Sequence, residues 1–514
     1  LAFISDVTLY TIPDPPEKGT GLILFDSPER AGESVTFFKD LGASAIEFLD
    51  DESLRTAKHF ESPPYDPNAV QTDHTGLLVE YQHESADEIE RLIKESRQFS
   101  KQDSAVVSMK LVTDEKDRDT IWKIRKGLYP TLGSLRKTGT SIITEDIAVD
   151  SENLAPAIRK LKDIFSLCEF QDGVIFGHAK DGNLHFITSV DLDDKRGVNN
   201  YERMMNELSS MTLKDFNGSL KAEHGTGRNM AAFVESEWGG DIYDLMWKVK
   251  SLADPLNIMN PDVLLTRDQK LHMKDLKPMP RVHEEVDTCI ECGFCERICP
   301  SRGLSLTPRQ RIAVMREAKS AVLSAQDQKR LEYGVDQTCA TDGLCSIECP
   351  VNINTGVMVK SLRFTGADDP WFISFINRHF RFIISLVRAG LKIVGMVDSF
   401  IGHSLVRKGA AALNKISKGR VPVWPRSGFI VSKKSILSRV VEPDYIHVSS
   451  CVNRVLAGDN TGVSSSDYLR EIADTAGIRL ARLDTQNDHC CGMAFSSRGF
   501  DTTGKDMRQN LLND

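Results

Sequence analysis

Four cysteines and a proline constrain this 514-residue chain more than any other feature of it. Cys289, Cys292, Cys295, Cys299 and Pro300 spell C-x2-C-x2-C-x3-C-P. Three thiolates spaced two residues apart let one tight loop wrap three corners of a cubane iron–sulfur cluster. The fourth, held off by the proline turn, points at a different cluster. A zinc knuckle needs two CxxC-like pairs or added histidines. A disulfide framework belongs to secreted chains, and this long chain shows no secretory signal.

Such a motif requires a second one. Cys339, Cys345, Cys349 and Pro350 read C-x5-C-x3-C-P, with Asp342 standing where the second cysteine belongs. Crossed ligation then predicts one 4Fe-4S cluster on Cys289, Cys292, Cys295 and Cys349, and another on Cys339, Cys345 and Cys299. A carboxylate is a harder and weaker ligand for iron than a thiolate. The second centre is therefore expected to be an Asp342-ligated 4Fe-4S cluster or a 3Fe-4S cluster interconverting with it. The alternative is that Asp342 faces solvent and the site holds three irons permanently or is never assembled.

Of the eleven cysteines nearly all are grouped by motif, which points to a reducing compartment, the cytoplasm. Cys168 stands alone, as a buried thiol would. The length exceeds one core and predicts several domains: residues 1–270, 278–365, 366–430 and 440–514. A net charge of -9 argues against nucleic acid as a partner. No apolar run reaches the roughly eighteen residues of a membrane span. Leu1 opens in sequence typical of a domain interior and Asp514 closes without an evident finish, so the chain reads as part of a longer protein.

Up to about residue 130 the pattern is β-α-β twice over. Strands are expected at Gly21–Phe25, Ala45–Phe48, Gly76–Tyr81 and Ala105–Lys110, and helices at Pro28–Leu41, Ser85–Gln98 and Asp117–Tyr129. This predicts an α+β, ferredoxin-like domain whose antiparallel sheet carries helices on one face. Further on, His178 and His185 flank a glycine-bearing bend, and Glu223-His224-Gly225-Thr226-Gly227-Arg228 adds a carboxylate and a third histidine. Two histidines and a glutamate suffice for a divalent metal with an open position. The same residues could equally be hydrogen-bonded core or loop histidines.

Residues 1 to about 268 resemble the C-terminal substrate-binding (cap) domain of the flavin-linked oxidases, which include D-lactate and D-2-hydroxyglutarate dehydrogenases. The phrases that carry the resemblance are Trp122-Lys-Ile-Arg125-Lys-Gly-Leu, Gly177 through His185, Glu223 through Arg228, and Ala253 through Asn260-Pro261. The resemblance implies that His178, His185 and Glu223 hold a divalent metal such as zinc. It also implies that His224 is the base, that Arg125 grips the substrate carboxylate, and that Gly225, Gly227, Asn260 and Pro261 lie toward FAD. The parts match the chemistry of oxidising an α-hydroxy acid. A planar guanidinium suits the carboxylate, a Lewis acid lowers the hydroxyl pKa, and histidine titrates near neutrality. No G-x-G-x-x-G or P-loop occurs, which disfavours a nicotinamide Rossmann domain. The family's main flavin domain would lie N-terminal to Leu1.

After a linker at Pro278–Glu285, Thr307-Pro308-Arg309-Gln310 is a capping box opening a helix expected to run to about Ala325. An oxidase half followed by these cysteine groups resembles the large bacterial FAD-and-iron-sulfur D-2-hydroxyacid dehydrogenases. From Trp371 to Pro425 nine Lys or Arg accompany the single acid Asp398. Arg378, Arg381, Arg388 and Lys392 share one helical face, and Ile376, Phe380, Ile383, Val387, Leu391 and Val394 a neighbouring one. Such a helix either lies on the anionic inner face of the cell membrane or packs on its own protein with a solvated basic stripe. Last, Cys451 and Cys490-Cys491-Gly492 resemble the first half of the cysteine-rich CCG domain of heterodisulfide reductase, an α/β domain begun but not completed here.

The expected function is oxidation of a D-2-hydroxyacid, D-lactate or D-2-hydroxyglutarate, by FAD, with electrons passing through the clusters to a quinone or another carrier. The alternative is an iron–sulfur electron-transfer subunit of a heterodisulfide-reductase or glycolate-oxidase type complex. A pure relay has no use for the histidine constellation.

Overall fold

The structure, a computed structural model, describes residues 2–60, 62–364, 369–417, 421, 423–425, 430–432, 442–457, 463–482 and 490–513. The chain divides into two compact units, residues 1–331 with 344–355, and residues 332–343 with 356–514.

The first unit is built on a seven-stranded antiparallel sheet with the order β4-β1-β3-β2-β6-β7-β5. Its strands are β1 (Glu17–Phe25), β2 (Ala45–Leu49), β3 (Thr75–His83), β4 (Val106–Val112), β5 (Ser141–Ala148), β6 (Val174–His178) and β7 (Asn183–Val190). Ile23 and Phe25 point into one core and Leu22 and Leu24 into another. Helices Pro28–Asp40, Ala86–Gln102, Leu154–Leu167 and Lys195–Ser210 fill the first core with Phe38, Ile89, Leu161 and Met204. The helix Glu115–Leu135 closes the opposite face with Ile121, Ile124 and Leu128. Helices on one face only, as the sequence suggested, is therefore corrected: the sheet is covered on both. The reason is legible in β1, whose Gly-Leu-Ile-Leu-Phe run is apolar at successive positions, as a strand buried on both faces must be. Cys168 is fully buried in the first core, as expected.

Pairing register positions the site. Glu47 of β2 lies opposite His178 of β6, and His185 of β7 lies opposite Phe176 of β6 and Asp146 of β5. Four polar residues are thereby brought to neighbouring points of the sheet. The Glu115–Leu135 helix, begun by Asp114 accepting from the Asp117 N–H at 3.1 Å, carries Arg125 across the same face as Phe176.

The start of the cysteine segment packs into this first unit rather than forming a body of its own. Arg136 donates to the carbonyls of Asp287 (3.2 Å), Thr288 (3.0 Å) and Cys289 (3.0 Å). The Thr307/Gln310 capping box opens a helix, Pro308–Ser320, that stops short of Ala325. Ala321 turns to extended backbone, and Ser324 then accepts from the Asp327 N–H (3.1 Å) at the start of a new helix, Ala325–Glu332.

The second unit contains helices Trp371–Arg378, Phe380–Ile401 and His403–Ile416, then strands β8 (Tyr445–His447) and β9 (Leu480–Arg482). β8 and β9 pair in parallel, with the helix Ser465–Thr475 between them in sequence, the α/β beginning expected there. Lys418 and Arg420 of the basic segment lie outside the described residues. Among the described residues no helix is long and apolar enough to cross a membrane.

Gly177 precedes His178, and a Cβ there would lie 2.2 Å from the Asn183 carbonyl oxygen and 2.9 Å from Leu184 Cα. Backbone cannot step aside as a side chain can. Gly177→Ala is expected to cost about 1–3 kcal/mol, read as a lower urea midpoint. Gly32→Ala, where the nearest atom is 3.7 Å away, should cost nothing. A wild-type midpoint for Gly177→Ala would contradict the tight β6–β7 approach.

Candidate functional site

His178, His185 and Glu223 converge. Glu223 Oε1 lies 2.9 Å from His178 Nε2 and 3.1 Å from His185 Nε2, and one ligand atom from each residue falls within 4.8 Å of the others. Two imidazole nitrogens and a carboxylate oxygen around one point form a donor set that suits a divalent cation with an open position. Burial, then the charges of His224, Arg125 and His178, push His185 down to about 4, so at neutral pH its nitrogen lone pair is available. Its Nδ1 is buried without a hydrogen-bond partner among the described residues.

Behind the triad stands Glu47, which sequence reading missed. This buried carboxylate meets His178 Nδ1 at 2.7 Å and accepts from Arg125 Nε at 2.8 Å. Burial opposes its ionisation, but the bonds to His178 and Arg125 outweigh that and hold it below the ordinary carboxylate range. The same bond to Glu47 raises His178 and fixes its ring with Nε2 toward Glu223. Arg125 also stacks its guanidinium 4.5 Å from the Phe176 ring centre. Its terminal nitrogens carry no hydrogen bond among the described residues, leaving the outer edge of the fork to meet a carboxylate.

His224 lies flat on His185, with ring centres 4.6 Å apart and planes within 10°. Its Nε2 is 3.7 Å from Glu223 Oε1 and its Nδ1 is 3.8 Å from Asp146 Oδ1. Asp146 is fully buried and was also missed. Its Oδ2 accepts from the backbone N–H of Ala222 (3.1 Å), Glu223 (2.7 Å) and His224 (3.3 Å), which pins the loop carrying Glu223 and His224. Burial opposes its charge, and those N–H groups together with the Lys221 ammonium hold its carboxyl low. Asp146, His185 and His224 form a second group of ligand atoms within the same reach. The signal for both missed acids was a charge inside an apolar strand, Ala-Ile-Glu47-Phe-Leu and Glu145-Asp146-Ile-Ala.

The residues expected toward FAD gather less tightly. Asn260, in the left-handed region (φ 44°), lines a cleft of about 900 Å³ together with Phe3, Lys221, Thr226, Trp238 and Met259. Gly225 and Gly227, with φ of 71° and 65°, bracket Thr226 and allow its turn. Pro261 follows Asn260 but does not line the cleft.

The two cysteine loops share one backbone pattern. Two and four residues after Cys289, Glu291 (φ 57°) and Gly293 (φ 86°) are left-handed. Two and four after Cys339, so are Thr341 (φ 53°) and Gly343 (φ 80°). Asp342 therefore occupies the loop position of Cys292. Each loop is also held by an arginine, buried in one case and half-buried in the other. Arg316 donates to the carbonyls of Asp287 and Cys289, both at 3.2 Å, and Arg363 to those of Asp336 and Cys339, the latter at 3.1 Å. Within the first unit, Cys289, Cys345 and Cys349 are electrostatic neighbours of the Cys295 thiol, and Cys299 Sγ accepts from Arg311 at 3.9 Å. Cys292 is exposed and electrostatically near Tyr129. In the second unit a hydrogen bond between the Cys451 and Cys490 sulfurs lowers the first thiol and raises the second, and Cys491 is exposed.

Residues 14–264 match the family described as FAD linked oxidases, C-terminal domain, and residues 285–353 match the 4Fe-4S dicluster domain. Glycolate oxidase subunit GlcD of Bacillus subtilis is 24% identical over 277 residues, 52% of this chain and 56% of that protein. D-2-hydroxyglutarate dehydrogenase of Haemophilus influenzae is 25% identical over 356 residues, 62% of this chain and 34% of that protein. A probable mitochondrial D-lactate dehydrogenase of Danio rerio is 26% identical over 272 residues, 52% of each. The chain thus spans about half or less of the length of these relatives. Two matched segments thus follow one another along the chain, the first similar to the C-terminal domain of the FAD linked oxidases and the second to a 4Fe-4S dicluster domain.

Proposed function

We propose that the protein oxidises a D-2-hydroxyacid, D-lactate or D-2-hydroxyglutarate, to the 2-oxoacid and passes the electrons through its clusters to a quinone or another carrier. The observation that carries this reading is the meeting of His178, His185 and Glu223 beside Arg125 and His224, ahead of two cysteine loops. Bound to this chain, a divalent cation such as zinc supplies a Lewis acid, FAD a two-electron acceptor and the iron–sulfur clusters a one-electron relay.

The chain's own residues do the rest. Arg125 receives the substrate carboxylate on the open edge of its guanidinium, while Glu47 holds the opposite edge and keeps the fork from turning. His224 takes the hydroxyl proton at Nε2, the nitrogen directed away from Asp146. Asp146 keeps the imidazole aimed and offers a buried negative charge to the imidazolium that forms. In the cluster segment, Cys289, Cys292, Cys295 and Cys349 hold one 4Fe-4S centre, and Cys339, Cys345 and Cys299 hold the other. Asp342 would close that second centre as a labile ligand, which would let it interconvert between 4Fe-4S and 3Fe-4S forms. A peripheral position at the inner face of the membrane fits a quinone acceptor.

In flavin-loaded protein, His224→Ala is expected to lower kcat by about 10²- to 10⁴-fold while metal content and cluster absorbance stay unchanged. Turnover near that of the unaltered protein would remove His224 from the proton transfer. Arg316→Gln is expected to lower the midpoint potential of the cluster on the Cys289 loop by tens of millivolts. The lost attraction to the added electron is about 1–2 kcal/mol at an effective dielectric of about 20. An unshifted potential would mean that the guanidinium only braces the loop.

A further inference from the structure

The helix Phe380–Ile401 is apolar on two sides, and among the described residues only one of them is packed. Phe380 and Ile384 enter a small core with Met507 and Cys490. On the other side Phe382, Leu386, Ile393, Met396, Val397 and Phe400 recur at i, i+4, i+7 spacing, and all are exposed, Phe382 at 63% and Phe400 at 89%. This stripe runs about 27 Å along the helix. Gly402 (φ 87°) turns the chain into the helix His403–Ile416, which packs beside the first and extends the apolar surface with Leu405, Leu413 and Ile416.

Charge decides what covers such a surface. Exposed Lys392, Lys408 and Lys415 flank the two stripes in a segment that holds nine cations and one acid, Asp398, itself bonded to His403 at 3.1 Å. A second copy seated here would set cations against cations. Spanning is excluded for these helices, neither of which is long and apolar enough to cross. A helix with exposed Phe and Ile on one side and lysines at its flanks suits the boundary between acyl chains and anionic headgroups. Arg388 takes no part, because its guanidinium donates to the carbonyls of Arg454 (3.1 Å) and Ser432 inside the protein. This corrects the sequence-based face of four basic residues.

We propose that the hairpin Phe380–Ile416 is an interfacial membrane anchor. It inserts Phe382, Ile393, Phe400 and Ile416 among the acyl chains of an anionic leaflet, and its lysines meet the headgroup phosphates. This goes beyond the hydroxyacid chemistry and is read without turnover.

The test is flotation of the whole chain with phosphatidylcholine vesicles, with and without phosphatidylglycerol. Binding is expected only to the anionic vesicles and should fall with added salt. Replacing Phe382, Ile393 and Phe400 together by Ser should weaken partition at least about ten-fold with an unchanged circular dichroism spectrum. Lys392→Gln, Lys408→Gln and Lys415→Gln should each weaken it about five-fold; they are exposed, so they carry the test if the serine variant unfolds. The proposal is overturned if no vesicle binds the chain or if the folded variants float as well as wild type. It is equally overturned if the serine variant instead abolishes a concentration-dependent dimer in sedimentation velocity, which would assign the stripe to a second copy.

Discussion

Strand register in the middle of the seven-stranded sheet is the constraint on which the site depends. Glu47 opposite His178, and His185 between Phe176 and Asp146, are consequences of how β2, β6, β7 and β5 pair. A slip of one residue would turn every side chain of a strand to the other face. The slip is opposed by apolar residues committed to cores on both faces, so packing energy spread over the sheet holds a few polar atoms in place. Gly177 and Gly182 permit the close β6–β7 turn between the two histidines.

Buried charge costs free energy unless it is paired, and the site tolerates two buried carboxylates because each is answered. Glu47 has His178 and Arg125; Asp146 has three backbone N–H groups and Lys221. The two acids stand on either side of the His178–His185–Glu223 triad, so the triad is fixed from behind. The cysteine loops follow the same logic, with Arg136 and Arg316 occupying carbonyls around Cys289, and Arg363 those around Cys339.

Local chemistry was legible in the sequence; what depends on distant partners was not. The cysteine loops are local, and the spacing that defines them also implies their turns, including the match of Asp342 to Cys292. The histidine bend and the Thr307 capping box are likewise local. Glu47 and Asp146 are visible as acids in apolar strands, but their roles need residues about 80 to 130 positions away. Helix Phe380–Ile401 misled in a different way. Its basic and apolar faces could be drawn on a wheel, but nothing in the wheel says which apolar face is packed, or that Arg388 is engaged by carbonyls.

In the proposed function, a hydroxyacid oxidised at the histidine site feeds the clusters. Anaerobic mixing of the flavin-loaded protein with D-lactate or with D-2-hydroxyglutarate, followed by freezing and electron paramagnetic resonance, tests it most directly. One of the two acids is expected to produce the reduced-cluster signal without any added reductant. If dithionite produces that signal and neither hydroxyacid does, the site and the clusters do not form one electron path for these substrates.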